Sequence, residues 1–474
     1  MEGSTYDDVG KSSNGCASGS SQQKSSGGGC GDSSSTISLG RTNGCGGNSE
    51  STTTASGDRG RSDEDSASAG PKACRRCKKN EGTISMRGQP TCTDCFVPFA
   101  RLKVIKRLNT LHRDLADMRG SRAPQKTRYL CGLSFSPSSA VLLSMLHDNI
   151  EYLEQKGRGG IAYAVTVMHI DTTLNEAGRL AATALLEAYQ ARFPRLSFEH
   201  YALEDALQLR GVNWAALGIE LPHKEGEELR QDRARRLCVA LDALHSVSAR
   251  VDILRLMVRH ALVSRAMQGG CDAVLLGTNM TGLAELAFSE VAKGRGASVP
   301  WLTQDGLFPL PSFGGVVGQE EEIDGAQHGN ITGKTSIPVY HLLRDVFRVE
   351  VLTFSGLAIP TPLTPLIPSL AENKQQQQMA KKTIVSHKNL SIEEVMARFF
   401  NDAETTGQAS VVSNVVRTTD RLARLCENMS QMCEICGLPL DGEGDERWRG
   451  EIGVQEDEEE KKGLCHGCQR SLTS

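Results

Sequence analysis

Two pairs of cysteine pairs constrain this chain more than any other feature. Cys74-x2-Cys77 is followed, after 14 residues, by Cys92-x2-Cys95; Cys433-x2-Cys436 is followed, after 28 residues, by Cys465-x2-Cys468. A CxxC turn offers two thiolates to one ion, and two such turns complete a tetrahedral four-sulfur shell. The spacing therefore predicts two structural zinc sites, each closed by its own four thiolates, with no position left open for catalysis. His466 adjoins Cys465 but is not needed to complete the second shell. The chain has 15 cysteines in all, no apolar run of 18 residues and no secretory leader in its opening "MEGSTYDDVG". That combination predicts a cytoplasmic, reducing environment without a membrane span, where cysteine pairs hold metal rather than disulfides. Cys131, Cys238, Cys271 and Cys426 sit in apolar patterns and read as small core residues.

Between the two cysteine units the pattern alternates. Residues 1–70 are mostly Ser, Gly, Thr, Asn and Asp; they cannot bury enough surface to offset ordering entropy and read as a disordered tail. Residues 71–98 form the first zinc unit and 99–126 a basic helix ending at Gly120. From 127 to 358, short apolar runs ("RYLCGLS", "IAYAVTVMHI", "LSFEHYAL", "DAVLLG") are separated by helical stretches. This predicts an α/β core with a parallel sheet and helices on both faces. One helical stretch, Glu228 to Gln268, reads as two helices meeting near His245. Residues 359–385, rich in Pro and Gln, read as a linker. Residues 386–474 hold further helices and the second zinc unit.

The first strand runs into the turn Ser134-Phe135-Ser136-Pro137-Ser138-Ser139 and then a helix. Such turns hold nucleotide phosphates when glycine lets bare N–H groups approach the anion. Here no glycine is present, Phe135 adds bulk, and Pro137 removes a donor.

The segments "CRRCKKNEGTISMRGQPTCTDCF", "LSFSPSSAVLL" and "VLLGTNMTGLAE" together resemble the cytoplasmic tRNA 2-thiolation protein 2 family, a PP-loop (adenine nucleotide alpha-hydrolase-like) group, over residues 71–474. The resemblance implies a PP-loop-like fold and degenerate motifs. Where active PP-loop enzymes read S-G-G-x-D-S, this chain has Ser134, Phe135, Ser136, Pro137, Ser138 and Ser139. Where they read G-H-N-x-D-D-x-A-E, it has Gly277, Thr278, Asn279, Met280, Thr281, Gly282, Leu283, Ala284 and Glu285. Both loop glycines, the histidine and all three aspartates are missing, and no redox or cluster-binding cysteine pair is evident in the core. The resemblance thus implies no catalytic residues and no ATP on this chain. It implies a non-catalytic subunit that pairs as a heterodimer with a catalytic PP-loop thiolation subunit. The complex would 2-thiolate the wobble uridine of tRNA (mcm5s2U formation in the lysine, glutamate and glutamine tRNAs), with sulfur from a thiocarboxylated ubiquitin-like carrier that also links it to protein urmylation.

Two other functions compete. An active ATP-dependent thiotransferase would need the missing glycines and carboxylates. A zinc-bearing adaptor without an RNA role would not need the α/β core. For RNA, residues 101–128 carry nine Lys or Arg against Asp114 and Asp117 in a chain of net charge −4. Lys103, Lys106 and Arg107 recur at helical spacing and are expected to face tRNA phosphates, with Leu102, Ile105 and Leu108 packing inward.

Overall fold

The computed structural model describes residues 72–120, 126–157, 163–209, 211–220, 230–309, 336–358, 360–371, 390–424, 432–440 and 463–473. The chain divides at Ala67/Ser68, and every described residue belongs to the second unit. The proposed tail with Cys16, Cys30 and Cys45, the Gln run and the "EDEEE" stretch lie outside the described residues.

The first cysteine unit is a knuckle with a short hairpin, β1 (Ile84–Met86) and β2 (Gln89–Thr91), leading into α1 (Thr93–Arg119). Gly120, at φ +61, ends α1, as a residue without Cβ can. The core follows as β3 (Thr127–Leu133), α2 (Pro137–Gln155), β4 (Tyr163–Asp171), α3 (Glu176–Arg192), β5 (Ser197–Ala202), α4 (Arg230–Ala243), α5 (Val247–Gln268) and β6 (Ala273–Leu276). It continues with α6 (Met280–Ala292), α7 (Val299–Thr303), β7 (Gly306–Pro309), β8 (Ser336–His341), α8 (Arg348–Leu357) and α9 (Pro368–Ala371). The C-terminal elements are α10 (Ile392–Thr405), α11 (Ala409–Thr419) and α12 (His466–Thr473). The long helical stretch is two helices, α4 and α5, with Ser246 capping the second through the Ala249 amide. Among the described residues no helix is long and apolar enough to cross a membrane.

The sheet order is β5-β4-β3-β6-β8-β7, all parallel except β7, which pairs antiparallel with β8. Alternation along β3 explains the two layers. Tyr129, Cys131 and Leu133 face a core shared with α1, α2, α3 and α8, while Leu130 faces α4, α5 and the C-terminal cysteine unit. A third, smaller core joins α6 to α10 and α11 through Leu283, Ala284, Phe400, Val412 and Val416. The predicted α/β class is the observed one.

Four details correct the sequence reading, the first being that Cys238 is exposed on α4 rather than a core residue. The packing face of α1 is Val104, Leu108, Leu111 and Leu115, whereas Leu102 is 54% exposed. The Pro-rich stretch is not a free linker at its start, because Leu363 and Ile367 are fully buried against the α1/α2 core. The second cysteine unit is not a separate module either: its four cysteines belong to the same apolar cluster as one face of the sheet.

Candidate functional site

The chain goes from β3 outward to β4 and β5, then crosses back to place β6 on the other side of β3. That reversal opens a crevice beyond the carboxyl ends of β3 and β6, where α/β proteins bind ligands. Here it is a cleft of about 690 Å³, within the usual size range for small-molecule sites. Both motif segments reach it: Ser134 and residues 136–139 from one side, Gly277, Thr278, Asn279 and Gly282 from the other.

The first turn has closed on itself. Ser134 Oγ donates to Ser136 Oγ at 3.0 Å, Ser139 Oγ donates to the Ser136 carbonyl at 3.1 Å, and Ser136 caps α2 by accepting from the Ser139 amide. Pro137 takes the first position of that helix, where a missing N–H costs nothing. Phe135 adopts φ +55, the left-handed conformation glycine would hold without strain. Its ring stacks on His169 at 4.0 Å and lies 5.4 Å from Tyr189. His169 is held by the Leu133 carbonyl at 2.9 Å, and burial keeps its pKa below the ordinary value. The strained backbone is thus retained, and aromatic packing stands against its cost.

The second motif segment is an attachment point. Asn279 caps α6 through the Gly282 amide (2.9 Å) and donates to Ser138 Oγ (2.8 Å), joining the two loops. A Cβ on Gly277 would lie 3.0 Å from Ser139 Cα, so any larger residue would push the two loops apart by a few tenths of an ångström. Thr281 donates to Glu404 of α10 at 2.8 Å and accepts from the Arg348 amide; the other Glu404 oxygen accepts from the Val349 amide. Glu285 pairs with Arg348 at 2.6 Å, although its burial pushes its pKa up. Arg348 and Arg255 line the cleft; Arg255 faces Glu393 at 3.4 Å. Among the described residues lining the cleft there is no Asp, Glu, Lys or Cys.

Both cysteine sets assemble. In each, all four Sγ atoms lie within 4.8 Å of one another. Cys77 and Cys92 are 3.8 Å apart, and Cys436 and Cys465 3.7 Å. Sulfurs at roughly 2.3 Å from one tetrahedral ion are about 3.8 Å apart, so each shell fits a single metal ion. Without a cation the thiols compete for protons. The Cys77 backbone amide leads the groups that lower Cys74 to about 6, while Cys92 chiefly pushes Cys95 up to about 12. In the second set Cys436 and its neighbours drive Cys433 down, and Cys433 drives Cys436 and Cys468 up. The sites differ in setting: all four C-terminal cysteines are buried, whereas Cys77 and Cys95 are partly exposed.

The C-terminal unit is held by side chains that no motif announces. His260 meets the Ile435 carbonyl at 2.7 Å, Asn213 donates to Glu434 at 2.7 Å, and Arg259 donates to the Cys436 carbonyl. Arg295 lies 3.5 Å from Cys468 Sγ and pairs with Asp252 and Glu290; Lys293 bridges Asp252, Glu290 and Glu393, and Ser471 donates to Asp252 at 2.9 Å. A Cβ on Gly467 would sit 2.3 Å from Arg295 Cγ, which fixes glycine there.

Of the three cations expected to face RNA, Lys106 is exposed. Lys103 donates to the Asp345 carbonyl at 2.6 Å, and burial lowers its pKa; Arg107 pairs with Asp345 at 2.7 Å and Asp305 at 2.8 Å. These two dock α1 onto the core.

A sequence model of the family described as "Cytoplasmic tRNA 2-thiolation protein 2" matches residues 391–463. The chain is 32% identical to the cytoplasmic tRNA 2-thiolation protein 2 of Sclerotinia sclerotiorum, with 72% of this chain and 80% of that protein covered. It is 30% identical to the protein of the same name from Phaeosphaeria nodorum, covering 86% and 96%. Among solved structures, the U34-tRNA thiolase NcsA from Methanococcus maripaludis with its [4Fe-4S] cluster is similar at a TM-score of 0.40 and 14% identity, with 82% of this chain and 98% of that one covered.

Proposed function

The chain belongs to the cytoplasmic tRNA 2-thiolation protein 2 family, and on that premise we propose that it is the non-catalytic subunit of a complex that 2-thiolates the wobble uridine of tRNA in the cytoplasm. The observation that carries this reading is the cleft itself. It keeps its place at the switch point of the sheet, yet its lining offers no carboxylate for a metal, no lysine for phosphates and no thiol for sulfur transfer among the described residues. Adenylation of a uridine needs metal and free cationic donors to meet developing charge on phosphate, and the two arginines of the lining, Arg255 and Arg348, are paired with Glu393 and Glu285. The partner is then a catalytic PP-loop subunit, and sulfur arrives from a thiocarboxylated ubiquitin-like carrier through the complex.

Exposed apolar side chains supply a docking face for such a partner: Phe288 and Val291 on α6, Val349 and Leu352 on α8, and Phe399 on α10. Large exposed apolar groups on neighbouring elements mark interaction surfaces. We assign zinc to the two cysteine shells, on the single-ion spacing of their sulfurs. The ions would be structural: each shell is complete with four thiolates and leaves no position for substrate.

The test has two arms. Cells lacking this protein should lose 2-thiouridine at the wobble position, measured by mass spectrometry of tRNA nucleosides, and regain it with Ser134→Ala/Ser139→Ala. The purified chain should show no turnover of labelled ATP. Turnover that the serine substitutions abolish would establish an active nucleotide loop and overturn the reading.

A further inference from the structure

The cations near the N-terminus fall into two groups. One group docks. Arg87 pairs with Glu350 at 2.7 Å, Arg101 with Asp148, Arg107 with Asp305 and Asp345, and Lys103 with the Asp345 carbonyl. The other group does not. Lys72, Arg75, Arg76, Lys78 and Lys79 are all exposed, and among the described residues none has a carboxylate partner. Asp94, in the first turn of α1, accepts from Asn80 at 3.0 Å.

The fold of the knuckle forces this display. Backbone groups turn inward: Cys74 donates to the Asn80 carbonyl (2.8 Å), Arg75 to that of Pro90 (2.8 Å) and Lys78 to that of Cys74 (2.9 Å). Lys78 takes φ +57 to complete the wrap around the sulfurs. The side chains between and after the cysteines are left pointing to solvent. Beside them lies Phe99, partly exposed, with the Arg76 guanidinium 4.4 Å and Lys103 Nζ 4.9 Å from its ring centre.

Holding a metal does not require this charge. The C-terminal shell places Glu434 and Ile435 between its first two cysteines, where the N-terminal shell places Arg75 and Arg76. Five cations in the eight residues 72–79, without carboxylate partners among the described residues and with Arg76 over an aromatic ring, are the pattern by which proteins contact a nucleic-acid backbone.

We propose that the N-terminal cysteine knuckle is the RNA-contacting surface of this chain, with Arg75, Arg76, Lys78 and Lys79 on phosphates. This rests on the tRNA reading above and moves the contact away from Lys103 and Arg107. Phosphate contacts carry no sequence information, so the knuckle supplies affinity and orientation, not choice of tRNA.

The experiment uses the full chain, metal-loaded, within the complex recovered from cells, and an unmodified tRNA transcript read by fluorescence anisotropy between 50 and 200 mM salt. Arg75→Ala/Arg76→Ala/Lys78→Ala/Lys79→Ala should weaken binding at least about tenfold and flatten the log–log salt slope by roughly 2.8–3.6, from about 0.7–0.9 per lost contact. Arg75→Lys/Arg76→Lys should bind like the wild type, and Lys103→Ala/Arg107→Ala should melt earlier with an unchanged slope. Should the fourfold variant lose its metal, Lys78→Ala/Lys79→Ala, outside the CxxC pair, should still lower the slope by about 1.4–1.8. An unchanged slope in the metal-loaded variants overturns the knuckle assignment and leaves the tRNA reading standing. A wild-type complex that binds no tRNA overturns the reading on which the assignment rests.

Discussion

Asp252→Asn should destabilise the whole described unit, although it alters one atom of a side chain that belongs to neither motif. Asp252 is almost fully buried on α5. Lys293 reaches it at 2.7 Å, Arg295 at 2.9 Å and Ser471 at 2.9 Å, so one carboxylate joins α5, the segment after α6, and α12. Burial alone would raise its pKa, but the Arg295 guanidinium and then Lys293 more than reverse this and hold it at about 2, against an ordinary 3.8. At about 1.4 kcal/mol per unit, the ionised form contributes roughly 2–3 kcal/mol of stability at neutral pH. Asparagine also leaves Lys293 and Arg295 short of one acid, and breaking a buried pair from one side costs about 3–5 kcal/mol. The two routes agree on a loss of about 3 kcal/mol. Unfolding in urea, followed through Trp214 in the same apolar cluster, should show a midpoint lower by roughly 1 M, taking a slope near 3 kcal/mol/M. A shift below about 0.3 M would refute the reasoning, since it would mean that water already relieves the charge in the folded protein.

Four further outcomes are expected. Phe135→Gly should be more stable than Phe135→Ala by about 1–2 kcal/mol, because only the backbone strain at φ +55 separates them; equal melting temperatures would contradict a strained loop. Glu404→Ala removes the acceptor for Thr281 and the Val349 amide and should cost about 2–4 kcal/mol, with limited proteolysis appearing first in α10 and α11. Cys433→Ser/Cys436→Ser should lose one bound ion and fail to fold stably, whereas Cys74→Ser/Cys77→Ser should lose one ion and keep the core; plasma emission for metal and circular dichroism for fold separate these results. His341, pushed by burial down to about 4, stays neutral when folded but gains a proton when unfolded below pH 6.5. Its contribution is therefore full above pH 6.5 and falls as pH drops, so His341→Gln should lose less stability than the wild type between pH 6.5 and 5, by up to about 2 kcal/mol.

The parts legible in the sequence are those written in local periodicity or fixed spacing. The apolar runs at Tyr129, Tyr163 and Ala273 became β3, β4 and β6, and the CxxC spacings brought eight thiols into two shells. What the sequence hid was partnership at a distance. Lys103 and Arg107 look like any solvated basic stripe until Asp345 and Asp305, some 200 residues away, are seen to meet them. Asp252 sits within the apolar run "VDILRLM", and that misplaced charge was the one available hint of a buried network. Glu404 carried no comparable signal, because its acceptor role depends on α10 folding back onto α6.

The same logic applies to the cleft, whose two loops are tied to the helices around it. In an active site, glycines and carboxylates are kept although they strain or destabilise the fold, because they serve the reaction. Here Phe135 and Thr281, which differ from the active motifs, have structural partners, and so do Asn279 and Glu285, which match them. Phe135 packs on His169, Asn279 ties α6 to Ser138, Thr281 holds Glu404, and Glu285 holds Arg348. These contacts join α2, α6, α8 and α10 around the crevice and stabilise the elements that carry Phe288, Val291, Val349 and Leu352 at the surface. On the proposed role, in which the chain contributes surface rather than turnover, such contacts serve the complex, since rigidity at the interface lowers the ordering cost of association. Reversing one of them, as in Thr281→Asp, should therefore not restore activity. It would set a second carboxylate against Glu404 and loosen the C-terminal helices instead.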